Sequence, residues 1–358
     1  MDAALKILAP GLVASIQDKG RFGFGCFGVP RSGAIDPVFL RLGNALVGND
    51  PFEAAIEYRF MGPTVMAQKG SIRIGLAGDA EAELSKIHST EKHRILPWQT
   101  VTLDEGDVLK VLPMGKAVTG YLTIEGGLQL APVLGSKSTY ARAGIGGATG
   151  ALLQTNDVLK LREQAKPREY EKVMSKPPKH TKGPVHVILG PQDDYFSDTE
   201  IEGFLSNKFE VSPDEDRMGI RLEGTPVKSL PEKGNDLISD GLVAGAIQIP
   251  GNGQPIVLCA DCHLVGGYPK IATVISADLF RLGQLGPKAE IGFKSVTLDQ
   301  AQTKSVELEK YIEICAGSVQ DYYGEGAVDL AALHGSNLIS GVVNAQSPGH
   351  FPGRLEEI

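Results

Sequence analysis

At 358 residues, with 42% apolar and 22% charged side chains, the chain is long enough for two domains of ordinary size and apolar enough to bury real cores. Its net charge of -8 argues against nucleic acid or an anionic membrane as the main partner. No signal peptide or membrane span is expected, and four cysteines are too few for a disulfide scaffold, so the expected compartment is a reducing cytoplasm.

The 44 glycines and 22 prolines suit short strands joined by tight turns. The first candidate site follows early, in Gln17-Asp-Lys-Gly-Arg21 and Gly28-Val-Pro-Arg-Ser-Gly-Ala-Ile-Asp36. Asp18, Arg21 and Asp36 there could grip a planar carboxylate or amide, because arginine's fork matches a carboxylate. The competing reading is a surface turn held by an Asp18–Arg21 pair. Asp36 also predicts a helix cap, with Pro37 in the first turn. Phe39, Leu42 and Leu46 then form one face, and Gly48 is the stop. Ile72, Ile74 and Leu76 alternate with Ser71, Arg73 and Gly75 and predict a strand. The run Gly144-Ile-Gly-Gly-Ala-Thr-Gly150 could cradle a phosphate, but it lacks the Walker lysine and reads more simply as a tight turn.

Residues 164–184 are rich in Lys and Pro and read as an exposed linker. They divide the chain into an N-terminal β domain (1–163), a second β domain (185–308) and an acidic extension (309–358). Val185, Val187 and Leu189 predict the next strand, and Met218, Ile220 and Leu222 another. A helix begins at Ser197, with Glu200 completing a capping box, and a short one follows Ser276. Strands spaced by turns with only a few short helices make the expected fold mainly β, with two barrel-like domains. The extension carries seven acidic residues against Lys310 and Arg354 and reads as a solvated, partly helical appendage.

The second half holds the richer constellation. It comprises Leu189-Gly-Pro-Gln192, Asp216-Arg217, Ser239-Asp-Gly, Gln248, Asp261 with His263, and Gly266-Gly-Tyr268-Pro-Lys270. If Asp261 and His263 share one face of a strand, the carboxylate can orient the imidazole for proton transfer. Tyr268 and Lys270 would fold back over that face. The competing reading is an Asp261–Lys270 salt bridge. Cys259-Ala-Asp-Cys262-His263 matches a haem-attachment pattern and contains a redox-type pair. Its apolar flank instead reads as a buried strand carrying two small residues, and no metal site is expected.

Taken in order, QDKGRFG, GVPRSGAID, NALVGN, GIGG, DRMGIRL, SDG, GAIQIPGNGQPIVL and GGYPKIATVISADL resemble the family of 5-oxoprolinase C subunits and second subunits of allophanate hydrolase over roughly residues 7–298. The resemblance implies two β-rich domains, a cyclophilin-like barrel among them, and a B-type sister protein that contributes the other half of a shared cleft. In 5-oxoprolinase a third, A-type protein completes the ATP-dependent opening of 5-oxoproline. Phosphorylating the amide oxygen would make the lactam carbonyl a better electrophile for water. ATP would be shared with the partner subunits, and the substrate would be a small cyclic amide or a urea-like molecule.

On this resemblance Arg21, Arg217 and Lys270 would bind carboxylate or phosphate oxygens, with Asp18, Asp36, Gln248 and Tyr268 lining the substrate. Asp261 and His263 would handle protons, and His263→Ala would lower turnover while leaving assembly intact. Two alternatives come with the family. One is a carboxyltransferase half whose biotin is carried on another protein, since no Met-Lys acceptor hairpin occurs in this sequence. The other is a regulatory binding partner without chemistry, as for the relative that antagonises an inhibitor of a sporulation kinase. The chain departs from the family at His263-Leu264-Val265, where relatives usually carry Gln-Thr-Thr. It departs again at Ala151, usually Arg, and at Asn156-Asp157, usually Gly-Asp. Asn337–Val343 resembles the end of some relatives.

Overall fold

The computed structural model describes residues 3–234 and 236–324, so the acidic stretch from 325 onward, with Asn337–Val343, lies outside the described residues. The first half forms two sheets. One orders Val158–Lys160, Ala4–Ala9, Thr64–Lys69, Val108–Val111, Ala82–Ser85 and Lys92–Ile95. The other orders Val13–Gln17, Ala55–Arg59, Thr119–Ile124, Ile72–Ala77 and Thr100–Leu103. Leu5, Ile7, Val65 and Leu109 of the first share one core with Ile16, Ile56, Ile74 and Leu122 of the second, so the sheets pack face to face.

The helix Pro37–Val47 forms as its sequence predicts. Asp36 Oδ1 accepts from the N–H groups of Val38 and Phe39, both at 2.9 Å, and Gly48 ends the helix at φ 79°. The helix covers the outer face of the second sheet, packing Phe39, Leu42 and Leu46 with Ala77, Trp98 and Tyr121. That cover explains a departure from simple alternation: every residue of Ile72–Ala77 is buried, the intervening Arg73 and Gly75 included. Gly75 permits the close approach, since a Cβ there would lie 2.6 Å from Thr123 Oγ1.

The second half closes into a seven-stranded barrel: Val185–Leu189, Lys270–Val274, Ala246–Gln248, Ile256–Leu258, Gly219–Glu223, Lys208–Glu215 and Glu290–Ser295. The last strand returns parallel to the first. Phe204, Phe209 and Phe293 fill its core, and Phe204 stacks on Phe293 with centroids 4.8 Å apart. The chain is therefore mainly β, with a closed barrel in one half and two facing sheets in the other. Phe204 comes from the helix Asp198–Ser206, where Ser197 caps as expected. The Glu200 carboxylate, however, accepts from Lys228 N rather than closing the box. The short helix after Ser276 also forms, as Ser276–Asp278 followed by Leu279–Leu282.

Two features of 164–184 and the tail differ from a plain linker and appendage. Residues Glu171–Met174 form a strand, and Met174 is buried beside Phe39 and Trp98. Position 309 falls inside a 19-residue helix, Leu298–Ala316, opened by a full Thr297/Gln300 capping box and anchored by Ile312 and Cys315. Local Lys and Pro content describes solvation but not a single buried side chain in a neighbouring core. No helix among the described residues is long and apolar enough to cross a membrane.

Candidate functional site

The seam between the facing sheets and the barrel is polar and buried, and Arg217 is its hub. Arg217 sits in a turn tightened by Asp216, whose Oδ1 accepts from Met218 N at 2.7 Å. Its guanidinium grips Asp261 through Nε (2.9 Å) and Nη2 (3.2 Å), donates to the Gly33 carbonyl at 2.6 Å, and pairs through Nη1 with Glu57. Burial acts to lower the Arg217 pKa, but Glu57 and Asp261 outweigh it and hold the pKa above the usual arginine value. Glu57 also accepts from Tyr121 Oη at 2.6 Å and from Ile35 N at 2.9 Å. Tyr121 Oη accepts in turn from Asp36 N at 3.0 Å. Asp36 Oδ2 accepts from Gln284 Nε2 at 2.6 Å, and burial pushes its carboxyl up to about 7. A second tie, Arg59 to Glu215 at 2.6 Å, crosses the same seam.

These contacts correct three expectations. Arg217 has its polar edge filled by protein acceptors, and Asp36 is a fully buried helix cap; neither presents a free group to a substrate. The strand expected to carry Asp261 and His263 ends at Leu258 and gives way to a turn. Asp261 turns inward to Arg217, while His263 is exposed, so the carboxylate does not orient that imidazole. The strand end also buries Cys259 and Cys262, and burial raises their thiols to about 12 and about 11.

Arg21 differs from Arg217. It is buried beneath the glycine loop, so close that a Cβ on Gly146 would lie 2.4 Å from its Nη2, and that nitrogen donates to the Ser138 carbonyl. Its Nε and Nη1 are buried without a protein acceptor. Burial lowers the Arg21 pKa, and the Asp18 and Asp261 charges oppose that shift. Asp18 is the anchor of the neighbouring loop, not the partner of a surface pair. Its oxygens accept from Ser136 Oγ (2.6 Å), Lys137 N (2.6 Å), Ser138 Oγ (2.5 Å) and Gly20 N (2.8 Å). Buried donors without acceptors are rare in folded chains, and an oxygen ligand or water would satisfy them.

A cavity of about 90 Å³ is lined by Asp18, Lys19, Arg31, Ser32 and Ile35 together with Leu258, Cys259, Ala260 and Leu282; Asp18, whose charge acts on Arg21, belongs to its lining, and Arg21 does not. The Ser32 hydroxyl is buried without a partner, and its backbone, at φ 52°, is held by Ser32 N donating to the Ala260 carbonyl at 3.1 Å. Phe22 is exposed, with the guanidinium of the cavity residue Arg31 4.2 Å and the ammonium of Lys19 5.6 Å from its ring centre. The glycine loop spends several of its N–H groups on its own turns. Its Ile145, Gly147 and Gly150 N–H groups already donate to the carbonyls of Tyr140, Lys137 and Gly146.

Lys270 belongs to a second cluster. Register places Gln248, Ile256 and Lys270 at one end of three neighbouring strands and Leu258 at the other, so Lys270 lies away from the Arg217–Asp261 turn. The Lys270 ammonium is buried against Asp240 Oδ2 at 2.5 Å and the Gly241 carbonyl at 3.1 Å, not against Asp261. Gln192 joins them, its Nε2 donating to Asp240 at 3.2 Å and its Oε1 accepting from Lys270 N at 3.1 Å. Gln248 lies at the same strand end, with Nε2 buried and unpartnered, and Tyr268 is 41% exposed nearby in sequence. The site residues thus fall into two groups: Asp18, Arg21, Asp36, Arg217 and Asp261 at the seam, Gln248 and Lys270 at the far end of the barrel strands. Among the described residues no group of three or more His, Cys, Asp or Glu side chains is placed to hold a metal ion.

A family model described as carboxyltransferase domain, subdomain A and B, matches residues 27–295. The chain is 31% identical over 309 residues to the C subunit of 5-oxoprolinase from Escherichia coli (strain K12), covering 86% of this chain and 96% of that protein. It is 32% identical over 300 residues to the C subunit of 5-oxoprolinase from Haemophilus influenzae, covering 84% and 94%. Among solved structures, the urea amidolyase of K. lactis superposes with a TM-score of 0.79 at 28% identity, covering 91% of this chain but 21% of that one. The urea carboxylase of Kluyveromyces lactis superposes with a TM-score of 0.78 at 28% identity, covering 91% and 30%. This chain belongs to the carboxyltransferase domain, subdomain A and B, family.

Proposed function

We propose that the chain is the C-type member of an ATP-dependent amidohydrolase that opens 5-oxoproline or a similar cyclic amide together with A-like and B-like sister proteins. The observation that carries this is its near end-to-end likeness to two proteins named as the C subunit of 5-oxoprolinase. The seam geometry supports it: Arg21 keeps two buried donors unengaged, which suits a carboxylate or carbonyl oxygen, and Asp18, whose charge acts on Arg21, lines a small cavity. Lys19 and Arg31 add positive charge to the cavity lining, and the exposed Phe22 beside Arg31 is apolar surface that a sister protein would cover. A carboxyltransferase role, with biotin carried by another protein, is the second possibility, favoured by the superposition on the K. lactis urea carboxylase.

The test is co-expression of this chain with its sister proteins and measurement of 5-oxoproline-dependent ADP release, with each protein omitted in turn. Full release only when all are present supports the proposal, and Arg21→Met should then abolish release without preventing assembly. Unchanged release when this chain is omitted refutes it. Carboxyl exchange with free biotin in place of ADP release selects the second possibility.

A further inference from the structure

A separate concavity of about 360 Å³ lies where the connection between the two halves meets the start of the last barrel strand. Lys116, from the loop after Val108–Val111, and Lys179, His180 and Lys182, from the connection, reach it together with Arg281 of the helix Leu279–Leu282. Its acidic lining residue is Glu290, and that carboxylate lies 2.8 Å from Lys208. His180 is held by Asp79 at 2.5 Å, which raises the imidazole pKa and lowers that of the carboxyl. Arg281 is held by Asp278 at 2.9 Å. Lys116, Lys179 and Lys182 have no ion-pair partner among the described residues, although other lysines of the chain do, Lys137, Lys172, Lys233 and Lys270 among them.

Three lysines without ion pairs line this one concavity, and in a chain of net charge -8 they make a local positive focus. A single exposed carboxylate would offset one of them; a linear polyanion would offset all three. Lysine is suited to phosphate because its three donors turn freely on a flexible stem. Phe280, Phe39 and Leu285 supply an apolar wall beside the cations. We propose that this concavity is a binding site for a polyphosphate chain, free or borne by a nucleotide, held by Lys116, Lys179 and Lys182. It stands on the concavity alone and is independent of the activity proposed above.

The experiment is calorimetric titration of the full chain with inorganic tripolyphosphate, with ATP and with orthophosphate. It is repeated for Lys116→Ala, Lys179→Ala and Lys182→Ala, for each Lys→Arg counterpart, and for Lys92→Ala as a remote exposed lysine. Expected is saturable tripolyphosphate binding, tighter than orthophosphate. Each alanine variant should weaken it about tenfold, as for loss of a charged hydrogen bond, while the arginine variants and Lys92→Ala bind as wild type. Tighter binding of ATP than of tripolyphosphate, lost in Phe280→Ala, identifies a nucleotide as the ligand; equal binding identifies the phosphate chain alone. No binding to the wild type, or equal weakening by Lys92→Ala, overturns the proposal.

Discussion

Replacing Arg217 with methionine tests whether the seam is held by buried charge. The variant keeps the bulk of the side chain and removes the guanidinium, leaving Glu57 and Asp261 without their shared counter-ion. Both carboxylates are buried, with side-chain exposures of 2% and 11%. Breaking a buried pair costs about 3–5 kcal/mol because a charge stays desolvated without compensation. The Gly33 carbonyl also loses its donor. A loss of this size is large against the roughly 5–15 kcal/mol stability of a typical domain. Urea denaturation can follow it through Trp98, the sole tryptophan, which is buried edge-on against Phe39 at 4.9 Å. Adding Asp261→Asn should recover part of the loss, with a coupling of about 0.5–3 kcal/mol in the double-mutant cycle. Lys92→Ala, which removes an exposed pair with Glu83, should cost under about 1 kcal/mol. If Arg217→Met cost no more than Lys92→Ala, the seam would not depend on its ion pairs.

Asp36 gives a pH signature. Its folded carboxyl, at about 7, lies above the ordinary 3.8, so the folded state holds the proton more tightly. The resulting stabilisation is complete below pH 3.8 and is lost as pH rises through 7, on the order of 4 kcal/mol in all. Asp36→Asn should flatten this decline in urea midpoints measured from about pH 4 to 8, and an unchanged slope would exclude Asp36 as its source. Gly75→Ala should destabilise by about 1–3 kcal/mol through overpacking against Thr123, read by thermal unfolding. Lys270→Met should speed hydrogen exchange at 240–242 by freeing Asp240 and the Gly241 carbonyl, with little change in the strand Val13–Gln17. In the assembled complex, Arg21→Met should reduce turnover more than His263→Ala, because His263 is exposed and Asp261 is engaged by Arg217.

Local chemistry was legible wherever one residue type decides local geometry. The Asp36–Pro37–Gly48 punctuation fixed a helix, Ser197 capped another, and alternation at 72–76, 185–189 and 218–222 located strands. The Thr297-to-Gln300 spacing was an equally clear signal for the helix Leu298–Ala316, hidden by the acidic composition that follows it. Asp240 and Gln192 also stood in strings singled out by their glycine turns, but nothing local paired them with Lys270.

The amino-acid order alone determined a mainly β chain, its helix caps and the set of polar residues concentrated near glycine turns, because these follow from backbone sterics and from side-chain spacing along a strand or helix. Which of those polar groups remain available was decided only by the tertiary structure. Partners 160 residues apart in sequence, such as Arg217 and Glu57, meet when the barrel docks on the sheets, and burial then makes pairing compulsory. Arg217 found its acceptors and became part of the frame. Arg21, at the same seam, kept two donors without one, and that difference follows from three-dimensional placement, not residue type.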